Sequence, residues 1–97
     1  MIGMSTPAYC IFIDTVFEGR VPHYRDGEGN PLAYATRVEA EREIAEDAIT
    51  RLEEFLAGQR DFDDAMTVEE YILDVDVLPD GVVVDEDGNC FSPRGRC

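Results

Sequence analysis

Residues 36–58 read TRVEAEREIAEDAITRLEEFLAG, and they carry a start signal, a periodic body and a stop signal of a single long helix. Thr36-x-x-Glu39 reads as a capping box, in which the threonine hydroxyl meets the amide three residues on and the glutamate reaches back to the cap. From Arg37 to Ala57 the apolar residues Ile44, Ala45, Ala48, Ile49, Leu52, Phe55 and Leu56 recur at threes and fours. They form one stripe about 140° wide at 100° per residue. Gly58 is the expected terminator.

The flanks read as strands. Ala8–Phe17, AYCIFIDTVF, is rich in β-branched and aromatic residues and suits a central strand. Asp14, its one charge, is expected near a fraying end or facing solvent. The run Asp26-Gly27-Glu28-Gly29-Asn30-Pro31 predicts a hairpin from about Arg20–Arg25 to Leu32–Ala35. Beyond the helix, Arg60–Glu70 reads as an acidic connector and Tyr71–Leu78, YILDVDVL, as a strand with one wet face. Pro79-Asp80-Gly81 turns into Val82–Val84, and Asp85-Glu86-Asp87-Gly88-Asn89 turns again before Phe91. The order strand, strand, strand, helix, strand, strand predicts an α+β two-layer domain. A mostly antiparallel sheet of four to five strands would pack on one amphipathic helix. At 97 residues the chain has room for a single domain, residues 1–97.

Charge is the outlying property: 22 Asp+Glu against 8 Lys+Arg leave a net −14, and every cationic side chain is arginine. Such a field disfavours direct contact with nucleic acid or an anionic membrane and favours a basic protein partner. No stretch approaches the ~18 apolar residues of a membrane span, and residues 1–30 lack a basic segment leading into an apolar run. A cytoplasmic location is expected.

Chemistry-bearing motifs are scarce. His23 is the single histidine, with no nucleophile turn beside it, so a structural or exposed role is expected and no catalytic residue is assigned. Cys10, Cys90, Cys97 and His23 match the ligand count of a zinc site but lack any Cys-x-x-Cys spacing. Cys10 lies in an apolar run, where a buried thiol behaves as a small hydrophobe, and Cys90 with Cys97 would pair only in an oxidising medium. Asp26-x-Glu28-x-Asn30 and Asp85-x-Asp87-x-Asn89 imitate the start of a calcium loop. They then place Pro31 or Cys90 where glycine is needed, and Arg37 or Arg96 where glutamate is needed. With no phosphate-cradling glycine pattern either, no metal and no cofactor are expected.

What is organised is the other side of the helix. Glu39, Glu43, Glu46, Asp47, Glu53 and Glu54 fall opposite the apolar stripe, and Asp61, Asp63, Asp64, Glu69 and Glu70 continue the negative run. From Glu43 to Glu54 five carboxylates span ~16 Å at 1.5 Å per residue. One strand of B-form DNA carries about five phosphates over that length. This predicts a partner-binding face made of Glu39, Glu43, Glu46, Asp47, Glu53, Glu54, Asp61, Asp63 and Asp64.

The blocks His23-Tyr24-Arg25-Asp26, Ala35-Thr36-Arg37-x-Glu39-Ala40-Glu41-x-Glu43-Ile44, Val77-Leu78-Pro79-Asp80-Gly81 and Val84-Asp85-Glu86-Asp87-Gly88 resemble small uncharacterised acidic proteins of proteobacteria and their mobile elements. In size and charge the chain is also similar to phage-encoded inhibitors of host defence of the anti-CRISPR kind. That resemblance implies a non-enzymatic inhibitor that mimics nucleic acid on a basic surface of a nucleic-acid-processing complex. A second reading is a structural or scaffold module that forms a homodimer through a sheet edge.

Overall fold

The computed structural model describes residues 5–96. The chain runs β1 (Thr6–Thr15), β2 (Gly19–Pro22), β3 (Ala33–Tyr34), α1 (Arg37–Leu56), α2 (Phe62–Met66), β4 (Tyr71–Val77), β5 (Val83–Asp85), β6 (Cys90–Ser92) and β7 (Gly95–Arg96). The fold is α+β, with every strand pair antiparallel and the strands ordered β2-β1-β4-β5-β6-β7. β1 is central, as its composition predicts: β4 runs along one edge, while β2 and β3 share the other at successive registers.

The hairpin expected between Arg20–Arg25 and Leu32–Ala35 is divided. Residues 19–22 and 33–34 each pair with β1, and the two arms meet at the Arg25–Pro31 bridge, where the Leu32 amide donates to the Tyr24 carbonyl and the Asp26 amide to the Asn30 carbonyl. Two elements go beyond expectation. The acidic connector folds into α2, and β7 extends the sheet beyond Phe91.

Strand alternation sends Ala8, Cys10 and Phe12 to one face of β1 and Tyr9, Ile11 and Ile13 to the other. The core gathers on the first face: Ala8, Cys10 and Phe12 cluster with Val75, Val83 and Phe91, flanked by Ala33, Tyr71, Leu73 and Val77. Phe12 and Phe91 sit on strands that are not neighbours, yet their rings lie 5.2 Å apart. The sheet therefore curls until its own strands enclose the core.

The sheet packs with α1, as expected, but the helix does not turn its aliphatic stripe inward, and this overturns one expectation. Among α1 residues only Ala40 and Arg51 are buried, and Ile49, Leu52 and Leu56 face solvent. At 100° per residue, the side that is buried or half-buried (Ala40, Glu43, Ile44, Asp47, Ala48, Arg51, Glu54, Phe55) is turned by about 100° from the centre of the aliphatic stripe. α1 touches β1, β3 and β4 sparsely and packs mainly with α2. The molecule is accordingly elongated, 55 × 29 × 23 Å with a radius of gyration of 15.0 Å. A compact chain of this length has a radius of gyration of about 12.5 Å. No helix among the described residues is long and apolar enough to cross a membrane.

Candidate functional site

Both ends of α1 lie where the sequence predicts, although among the described residues the Glu39 carboxylate does not reach back to the Thr36 amide to complete the capping box. The Thr36 hydroxyl accepts from the Glu39 amide at 3.2 Å. At the other end Gly58, at φ +79°, donates to the Phe55 carbonyl while Gln59 donates to Glu54, which is a Schellman motif. This fixes where the helix starts and stops, and hence the azimuth of each of its carboxylates.

The nine acids predicted as one face separate into two groups. Glu39, Glu46 and Glu53, spaced by seven, form an exposed line without ion pairs among the described residues. Half-buried Glu43 and exposed Asp61 and Asp63 are likewise unpaired. The other three are held by the protein's own arginines. Asp47 pairs with Arg51, while Arg60 bridges Glu54 and Asp64 at 2.7 Å each. Of the five carboxylates from Glu43 to Glu54, three (Glu43, Glu46, Glu53) make no ion pair among the described residues. That is a thinner line of charge than the five phosphates of the comparison with DNA.

Two of the three arginine-held acids, Asp47 and Asp64, line a cleft of about 270 Å³ together with Ile13, His23, Arg51 and Glu70. One ligand atom from each of His23, Asp47 and Glu70 lies within 4.8 Å of the others, a donor set suited to a divalent cation. Arg51, only 8% exposed, bridges the two carboxylates instead: its Nη1 donates to Asp47 and, at 3.3 Å, to Glu70. Its Nε and Nη2 find no partner among the described residues.

Burial, together with a hydrogen bond to Glu70, pushes the Asp47 carboxyl above its ordinary value despite the guanidinium. Burial also acts to raise Glu70, but the hydrogen bond to Asp47 and the charge of Arg51 outweigh it, so Glu70 falls below its ordinary value. The two carboxyls thus shift in opposite directions, Asp47 upward and Glu70 downward. Beside them burial pushes the Tyr24 and Tyr34 hydroxyls up to about 12, helped by nearby Asp47 and Glu43 respectively, and both hydroxyls are buried without partners among the described residues. The i,i+4 spacing of Asp47 and Arg51 was visible in the sequence; the arrival of His23 and Glu70 was not.

The other candidate groups are dispersed or occupied. Cys10 is a free thiol in the core, raised to about 12 by burial. Cys90 is disulfide-bonded, and the Cys97 end of the expected pairing lies outside the described residues. The Asp26 and Asp85 carboxylates accept from amides of their own turns. Large exposed apolar residues include Ile49, Leu52 and Leu56 on α1 and Phe62 and Met66 on α2. Compared with protein-family models, curated proteins and solved structures, the chain matches none of them.

Proposed function

We propose that this chain is a non-enzymatic acidic protein that docks the outer side of α1 on a basic surface of a nucleic-acid-processing protein and thereby excludes the nucleic acid. The observation that carries this reading is the line Glu39, Glu46 and Glu53, exposed and unpaired, on a rigid helix capped at both ends. Exposed carboxylates that no internal arginine compensates project their field outward, which steers a cationic surface toward them and weakens with salt. The arginines spent inside, Arg51 and Arg60, leave this line untouched.

The test is affinity capture from cell extract on immobilised protein at about 50 and about 300 mM salt, spanning roughly a twofold change in screening length. Proteins retained only at the lower salt should bind nucleic acid, lose it on addition of the free chain, and ignore the triple variant E39Q/E46Q/E53Q. Equal capture by the variant refutes the assignment.

A further inference from the structure

We propose that the hairpin of α1 and α2 is a platform for a basic amphipathic helix of the partner, with an apolar centre and the α1 carboxylates as its rim. This rests on the reading above that the partner is cationic, and it adds that recognition is not by charge alone.

Ile49, Leu52 and Leu56 occupy positions i, i+3 and i+7 of α1, a single line on its surface. They are 55, 37 and 81% exposed. Phe62 and Met66, at i and i+4 of α2, are each 56% exposed. The edge-on contact of Phe55 with Phe62, centroids 5.3 Å apart, ties the two helices together. Scattered exposed aliphatics are ordinary, but five large ones on two packed helices are the surface that an interface covers.

Charge selects the occupant. Glu46 and Glu53 border the α1 line and Asp63 follows Phe62 on α2, all three exposed and without ion pairs among the described residues. A second copy would bring another net −14 against them, whereas a helix carrying Lys or Arg beside a leucine row answers both features. An interface of this kind draws its residence time from the apolar centre and its encounter rate from the rim. The shortfall in charge density relative to DNA is then no obstacle, since apolar contact supplies what the missing carboxylates would have.

The probe is a labelled peptide of about 18 residues with leucine and lysine in helical amphipathic order, set against the same composition scrambled. By fluorescence anisotropy the wild-type protein should bind the ordered peptide at least about tenfold more tightly than the scrambled one. L52S/L56S, with its helix content verified by circular dichroism, should lose that preference and keep the weak, salt-sensitive binding common to both peptides. E46Q/E53Q should weaken both peptides together. Equal affinity for the two peptides, or a preference that survives L52S/L56S, overturns the platform while leaving the charge reading intact. Indifference of both peptides to E46Q/E53Q overturns the charge reading and the platform with it. A wild-type dimer in sedimentation that L52S/L56S converts to monomer assigns the surface to a second copy and also overturns the proposal.

Discussion

The Arg20 guanidinium on β2 lies 2.7 Å from the Asp85 carboxylate on β5, which joins an edge strand to one three places along the sheet and closes its curl. The Asp85 side chain is shut away from solvent, and it also accepts from Asn89 Nδ2 and from the Asp87 and Asn89 amides. Burial acts to raise its carboxyl, but these donors outweigh burial and hold it below the ordinary value of 3.8. Asp85→Asn should therefore cost about 2–3 kcal/mol in urea denaturation at neutral pH, since a charged acceptor of several hydrogen bonds is lost. Because the folded carboxyl is depressed, its contribution is present above pH 3.8 and fades as pH falls through the lower folded value. The gap between wild type and variant should narrow in that acid window.

The placement of the core makes a second expectation. If it lies within the curled sheet, Phe91→Ala removes a fully buried ring in contact with Phe12 and should cost about 3–5 kcal/mol. Leu56→Ala, on the helix stripe that the sequence assigns to the interior, should stay within about 0.5 kcal/mol, as surface substitutions do. Chemical denaturation of the two variants decides between a core inside the sheet and a core under the helix, and equal costs would overturn the first.

That contrast also marks what was readable before the structure. Local signals acted locally: Thr36 caps, Gly58 terminates, and the strand periods at Ala8–Phe17 and Tyr71–Leu78 sit within two residues of β1 and β4. The azimuth of α1 was not legible, because an aliphatic stripe names a side that prefers burial without naming a surface to bury it on. Here that surface closed on itself through Phe12 and Phe91. The buried side of α1 then fell to Ala40 and Arg51, and a buried arginine reads in sequence like any exposed one. Of the candidate site, Glu39, Glu46 and Glu53 were visible as an exposed row. The capture of Glu54 and Asp64 by Arg60 depended on α2, whose five residues looked like connector.

Gly81 offers a third test. It holds φ +89°, and a Cβ there would meet Asn30 Nδ2 at 2.5 Å, on a side chain that is itself buried. Gly81→Ala therefore combines left-handed strain with displacement of Asn30 and should cost about 2 kcal/mol or more. Gly58→Ala has comparable strain, φ +79°, and open space around its Cβ, so it should cost about 1 kcal/mol. Thermal unfolding of both separates steric crowding from backbone strain.

In the cleft, the pairing of Asp47 with Glu70 sets opposite pH trends against each other. Asp47 is raised above 3.8 in the fold, so the stability it contributes is complete below that pH and is lost as pH rises through the raised value. Glu70 is lowered from 4.5, so its contribution is complete above that pH and is lost as pH falls through the lowered value. Asp47→Asn keeps a neutral donor for Glu70 and removes the first trend. Relative to wild type, the variant should gain stability as pH rises above 3.8, with Glu70, His23, Arg51 and Arg60 left in place around it. Arg51→Met acts the other way. It leaves two carboxylates facing each other in a half-buried cleft without their guanidinium, and should cost about 3 kcal/mol at neutral pH. Adding Asp47→Asn to Arg51→Met should recover much of that loss, because one neutral partner ends the repulsion. Urea denaturation from pH 3.5 to 7.5, with side-chain carboxyl titration by NMR, reads both slopes. A wild-type Asp47 that titrates below Glu70, or an Arg51→Met variant that Asp47→Asn fails to rescue, overturns this account of the pair.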